Sequence, residues 1–187
     1  MERMRALVDI DDTLWSMSGT LYKKLKKVND NVPPISKWKT WEFHKTYMDN
    51  KKFYDVVQEI HMKQYLYSPY NGSCDLLYVL YRLGYEIIIA SHRNLDTTSS
   101  TKRWLEKHLL YYDTLHISWN KEVLLDKVDL IIDDGPIIQK CKEMGKTVVA
   151  LKKPWNEESD IPLFDDLTGI MQFVTNLNRK TKRRYNE

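Results

Sequence analysis

The chain has 187 residues, 42% of them hydrophobic, with 29 basic and 26 acidic side chains and a net charge of +3. That suffices for one domain with a real core and a small insertion, and the absence of a run of about eighteen apolar residues excludes a membrane span of helical type. Cys74 and Cys141 are too few and too far apart for a disulfide framework, so reduced thiols in a cytoplasmic protein are expected. The start, MERMRALVDI, lacks a secretory signal pattern and leads directly into a strand over 5–10. Residues 21–30, LYKKLKKVND, read as a basic helix, which NVPP ends at Pro33 and Pro34. ISKWKTWEFHKTY is aromatic and polar without strand alternation. KKFYDVVQEIHMKQ, residues 51–64, sets Phe53, Val56, Val57, Ile60 and Gln64 along one helical face. After the loop SPYNG a helix is expected from Ser73, with Leu76, Leu77, Leu80 and Leu83 at helical spacing and Gly84 as its stop.

From there strands and helices alternate. YEIIIAS is a short apolar strand of the doubly covered kind, TSSTKRWLEKHLL a helix, TLHIS a strand and DLIIDD another. PIIQKCKEMG is a helix, TVVALKK a strand, and DIPLFDDLTGIMQFVTNL a closing helix. The expected fold is therefore α/β, Rossmann-like, with an open parallel sheet. The first strand stands apart from the others, so residues 16–72 read as an inserted helical cap on a core made of 1–15 and 73–177. NRKTKRR, within a basic tail over 178–187, lacks apolar periodicity and reads as a solvated end.

In open parallel sheets, ligands bind at the carboxyl ends of the strands. The first strand ends in Asp9, Asp11 and Asp12, a crowd of like charges that needs compensation. EIIIAS ends in Ser91, followed by His92 and Arg93; TLHIS is followed by Lys121; DLIIDD ends in Asp133 and Asp134. Oxygen ligands from two strands suit Mg²⁺. Asp9 can attack phosphorus and form an aspartyl-phosphate. Asp11, two residues on, can act as general acid and then base. Ser91 can hydrogen-bond a phosphoryl oxygen, and Lys121 can neutralise another while keeping the nucleophile ionised. Asp12 reads as a turn or helix-start residue, and Thr13 either supports the turn or orients Asp9 and Asp11. No pattern here makes a zinc site.

These residues carry a resemblance. DIDDT resembles the DxDx(T/V) motif of haloacid dehalogenase-like (HAD) phosphatases, IIIAS the second motif, Lys121 the third and DLIIDD the fourth, in the right order between residues 7 and 134. More narrowly, NKEVLLDKVDLIIDDGP, WKTWEF, QYLYSPYNGSCDLLYVL and LKKPWN resemble segments of the 5′(3′)-deoxyribonucleotidase family of bacterial and phage type. The resemblance implies a Mg²⁺-dependent phosphatase acting on deoxyribonucleoside monophosphates. It implies metal ligands at Asp9, the backbone carbonyl of Asp11 and Asp134, with Asp133 supporting them. On the substrate side it places Thr13, Trp41, Phe43, Ser91, His92, Arg93 and Lys121.

One departure bears on substrate size. Better-known members follow the second-motif hydroxyl with a lysine, whereas this chain has SHRN, which puts Arg93 in that role or in none. SxR also occurs in polynucleotide 3′-phosphatases of the same superfamily, an alternative that the basic tail would serve by weak nucleic-acid contact. A catalytically silent HAD-fold binding protein is the alternative from another class; the intact acids argue against it. Trp38, Trp41 and Phe43 read as cap core by default, with Trp41 facing a nucleobase as the functional reading. No membrane partner is expected, and the oligomeric state is open.

Overall fold

The structure is a computed structural model describing residues 3–184, with side chains described through residue 179. Strands β1 (Arg5–Val8), β2 (Glu86–Ser91), β3 (Thr114–Ile117), β4 (Leu130–Ile132), β5 (Thr147–Leu151) and β6 (Leu163–Phe164) form one parallel sheet in the order β3-β2-β1-β4-β5-β6. Six helices accompany them: α1 (Met17–Val28), α2 (Asn50–Met62), α3 (Ser73–Leu83), α4 (Thr98–Lys107), α5 (Ile137–Glu143) and α6 (Leu167–Arg184).

The central strands are apolar throughout because both faces are covered. Side chains alternate between the two sides of a pleated strand. Ala6, Val8, Ile87, Ile89, Leu130, Ile132 and Val149 thus enter one core with α3, α4 and α6. Leu7, Ile88, Ala90, Ile131 and Val148 enter the other with Ile138 and Cys141 of α5 and with Leu125. Helix α3 packs on α6 and β2, while α1 and α2 pack on one another inside the connection between β1 and β2. The reversal of strand order lies between β1 and β4, whose carboxyl ends therefore face a shared crevice.

Two expectations are corrected. The closing helix does not begin near residue 160. Leu163–Phe164 instead pair with β5, where Ala150 N–H donates to the Pro162 carbonyl at 3.1 Å and Lys152 N–H to the Phe164 carbonyl at 2.7 Å. Helix α6 starts only at Leu167, and the Gly169 N–H donates to Asp166 Oδ1 at 2.9 Å in its first turn. The basic segment does not leave the fold at 178. The backbone stays helical through Arg184, and Asn178 is buried, its Nδ2 donating to the Leu83 carbonyl at 3.3 Å. The side chains from Lys180 onward, where most of the tail's charge lies, fall outside the described residues. Among the described residues, no helix is long and apolar enough to cross a membrane.

Candidate active site

The parallel ladder delivers the acids. Asp9 continues β1, its N–H donating to the Ile132 carbonyl at 2.9 Å, and Asp133 continues β4, its N–H donating to the Val149 carbonyl at 3.3 Å. One carboxylate oxygen from each of Asp9, Asp133 and Asp134 lies within 4.8 Å of the others, and all three residues are buried. Lys121, just before the 3-10 turn Glu122–Lys127, donates from Nζ to Asp9 Oδ1 at 2.7 Å and to Asp133 Oδ2 at 2.6 Å. The other Asp133 oxygen accepts the Gly135 N–H at 2.8 Å. Asp134 accepts from Thr13 Oγ1 at 3.2 Å and from the Trp155 indole N–H at 2.9 Å.

Lys121 thus bonds two of the three carboxylates, and the imbalance shows in their ionisation. Burial, joined by Asp133 and Asp11, outweighs the pull of Lys121 and raises Asp9 to about 7. Burial and the neighbouring Asp12, Asp9 and Asp133 push Asp134 well above the usual carboxylate range. Burial opposes the charge on Lys121, but Asp133 and Asp9 more than offset it and hold the ammonium charged. A buried, all-oxygen donor set with surplus negative charge fits a hard divalent cation. Asp12 stands outside this cluster. It adopts φ +54° and accepts from Ser18 N–H at 2.9 Å and Ser18 Oγ at 2.6 Å, which anchors the start of α1.

Asp11 is surrounded differently. Arg93 approaches it as a fork, Nε donating to Oδ2 at 3.0 Å and a terminal nitrogen to Oδ1 at 2.5 Å. The Trp15 indole N–H donates to Oδ1 at 2.8 Å, and Ser91 Oγ lies 3.5 Å from Oδ2. His61 of α2 puts Nε2 3.0 Å from Oδ2, close enough to pair but off the line of a good hydrogen bond. Burial alone would raise Asp11, yet Arg93 and His61 outweigh it and hold the carboxyl far below its ordinary range. Burial, with Arg93 adding to it, lowers His61.

Above both groups lies a cavity of about 740 Å³. Asp9, Asp11, Asp133 and Asp134 form part of its wall, with Ser91 and Lys121 beside them. Trp41, 45% exposed, leans on Trp155 at 5.3 Å between ring centroids and 58° between planes. Trp119 and His92, also on the wall, meet edge-on at 4.9 Å. No protein-family model and no curated protein matches the chain. Solved structures do resemble it. A predicted phosphoglycolate phosphatase from Haemophilus somnus gives a TM-score of 0.61 at 15% identity, over 93% of this chain and 99% of that one. CbbY from Rhodobacter sphaeroides, in complex with phosphate, gives 0.61 at 11% identity over 88% and 95%. The HAD-hydrolase YfnB from Bacillus subtilis, bound to magnesium, gives 0.55 at 14% identity over 93% and 100%. The fold is the HAD fold.

On that HAD fold the four motif positions Asp9, Ser91, Lys121 and Asp133–Asp134 converge on one cavity wall, with Asp11 beside them. Other sequence-level candidates lie elsewhere than expected. Arg93 is fully buried behind Asp11; its guanidinium is shared among Asp11, Gln64 and Thr101, so it is absent from the cavity wall. Thr13, also off the wall, holds Asp134 and makes no bond to Asp9 or Asp11 among the described contacts. Phe43 reaches the cavity, but its face is stacked on buried Trp38 at 3.9 Å. His92 is exposed at the lip.

Sequence reasoning missed His61, Gln64 and Trp155 as site residues. A signal existed for the first two. The helical spacing over 51–64 puts Gln64 on one face with Val57 and Ile60, and His61 lies four residues after Val57, so polar residues interrupt a stripe that otherwise faces the core.

Proposed function

We propose that this chain is a Mg²⁺-dependent phosphomonoesterase acting on (deoxy)ribonucleoside monophosphates through an aspartyl-phosphate. The observation that carries the reading is Asp9 on the cavity wall, paired with Lys121 and flanked by Asp133 and Asp134, on a HAD fold. Residues 16–72 act as the cap over that wall. Asp9 and Asp134, with Asp133 in the same cluster, would hold the cation, and the resemblance adds the Asp11 carbonyl. When bound, the cation would supply positive charge that screens the incoming phosphate from the acids.

The protein's own groups then divide the work. Lys121 pulls Asp9 towards its ionised form against burial and offsets phosphoryl charge. An Asp9 oxygen attacks phosphorus; the new O–P bond forms as the bond to the leaving oxygen breaks. Asp11 gives that oxygen its proton. In the second half Asp11, again a carboxylate, takes a proton from a water that attacks the aspartyl-phosphate, and inorganic phosphate leaves with Asp9 restored. The donors around Asp11 favour its ionised form, which suits the second half directly. The first half requires the carboxyl to be protonated before the leaving group departs.

The nucleotide reading rests on the motif resemblance and on the aromatic lip. Trp41 offers an exposed indole above the acids, and base–aromatic stacking is worth roughly 1–3 kcal/mol. A phosphate-release panel with Mg²⁺ tests the proposal. It should contain dUMP, dTMP, their 3′ isomers, ribonucleotides and a 3′-phosphorylated oligonucleotide. The mononucleotides should lead. Turnover confined to the oligonucleotide would move the assignment to a polynucleotide 3′-phosphatase, and no turnover of any ester would leave a HAD-fold binding protein.

A further inference from the structure

We infer that His61 is a positioning residue for Asp11, supplied by the β1–β2 connection, which makes seating of α2 part of assembling the acid–base group. The inference rests on the phosphatase reading above. Helix α2 ends at Met62, and the 3-10 turn Gln64–Leu66 follows at once. From this short stretch two polar side chains turn inward. His61 meets Asp11 Oδ2 at 3.0 Å, and Gln64 Oε1 accepts from Arg93, the residue that forks onto the same Asp11. One edge of the connection therefore grips both members of the Asp11–Arg93 pair.

Stability alone does not explain these residues. His61 is 4% exposed and Gln64 fully buried. Among the described residues, His61 Nε2 has no well-aligned hydrogen bond and Gln64 Nε2 has no partner. Buried polar atoms left in that state cost free energy that an apolar side chain in the same place would not. Asp11 has no shortage of partners either, since Arg93 and Trp15 already serve both oxygens. What His61 adds is location. It borders the cavity, it touches the oxygen that Ser91 also approaches, and it reaches Asp11 from a helix of the β1–β2 connection. Arg93, Trp15 and Ser91 belong to the strand exits or their immediate continuation; His61 is delivered by a helix some fifty residues away in sequence.

First-turnover kinetics by rapid quench test this. A nucleoside leaving group needs its oxygen protonated, whereas p-nitrophenolate departs without help, so only the former depends on where Asp11 points. General acid catalysis contributes typically 10²–10⁴-fold. In His61→Ala, nucleoside release from dTMP in the first turnover should slow by roughly ten- to a hundredfold, a part of that contribution. The p-nitrophenolate burst should stay within about threefold of wild type, and KM for dTMP should hold. His61→Gln keeps a polar nitrogen within reach and should recover most of the loss. Equal slowing of both esters in either variant, or no slowing of dTMP in His61→Ala, overturns the inference. If His61→Ala fails to fold, His61→Leu, which fills the space without a ring nitrogen, takes its place: slowing of dTMP alone supports the inference, and equal slowing of both esters, or none, overturns it. A wild-type protein that releases neither product fails the phosphatase reading instead.

Discussion

The two carboxylate groups at this site border one cavity yet live in opposite environments. Asp9 and Asp133 share the ammonium of Lys121, and Asp134 beside them is held by Thr13 and the Trp155 indole N–H. Asp11 alone has a guanidinium, an indole N–H and a histidine ring. The first group carries surplus negative charge and is shaped to receive a cation; the second is already compensated by the protein and needs none. Burial is common to both, so the difference lies in the partners. A cation could thus be brought to the acid-rich group without disturbing the bonds that hold Asp11, to which the proposed mechanism gives the proton transfers.

The largest effect that could break this contrast is chemical. Asp9→Asn keeps the shape of the acid-rich side but removes the nucleophile, and turnover should fall by at least about a thousandfold, as expected when a member of a catalytic unit is lost. Retention of a tenth of wild-type kcat would remove the covalent step. The next test compares cations. Lys121→Met and Arg93→Met each strand buried carboxylate charge, and breaking a buried pair costs about 3–5 kcal/mol. Thermal melts should show both losses. Mg²⁺ should recover a good part of the first and little of the second, because the cation can take over from Lys121 but not from Arg93. Equal recovery would erase the distinction between the two groups.

The same contrast predicts opposite responses to pH. Asp9, raised to about 7 by burial first of all, resists ionising in the folded state. Its contribution to stability is therefore favourable at low pH and is lost as pH climbs from the unfolded carboxylate range towards 7. Asp11 is lowered, because Arg93 and His61 outweigh burial, so its contribution is present above the ordinary carboxylate range and lost only on acidification. Without metal, Tm should decline between about pH 5 and 7.5 through the acid-rich group. Mg²⁺ at about a hundred times its Kd stabilises by about 2.7 kcal/mol, roughly 5–10 °C here, and should do so more at pH 7.5 than at pH 5. A Mg²⁺ shift that is the same at both values would count against the surplus charge.

The smallest expected effect lies at the lip. Trp41 leans on Trp155, whose indole N–H holds Asp134, so the aromatic wall is tied to the acid-rich group. Trp41→Ala should lower kcat/KM for dTMP about five- to a hundredfold, from the stacking range, and should affect p-nitrophenyl phosphate much less. Equal loss on both esters would make Trp41 a packing residue.

The acid-rich group was legible in the sequence because its members follow apolar strands at fixed positions, and strand periodicity alone places them at one end of a parallel sheet. Lys121 was legible for a similar reason, coming just after TLHIS. The compensation of Asp11 was less so. Arg93 was open between a phosphate contact and no such role, because it stands just past Ser91 where family members carry a lysine; the chain bends at that point and turns it into the core behind Asp11. His61 and Gln64 show locally only as polar interruptions of an apolar stripe; which groups they meet depends on how a long connection folds back. Strand β6 escaped notice because two residues show no alternation, and its hold on β5 comes from backbone groups. The closing helix ran past its apolar stripe because Asn178, buried under Leu83, extends the docked face with a hydrogen bond in place of apolar contact.

The central claim is that Asp9, Asp133 and Asp134 form a cation site serving phosphate-ester hydrolysis. Phosphate release from dTMP, followed on one preparation in EDTA and again after Mg²⁺ is restored, tests it most directly. The account predicts at least a hundredfold loss with EDTA, on the order expected for a missing electrostatic contribution of about 2.7 kcal/mol or more, and full return with Mg²⁺ while the fold persists. Undiminished turnover in EDTA, or rescue by Zn²⁺ and not by Mg²⁺, would contradict it.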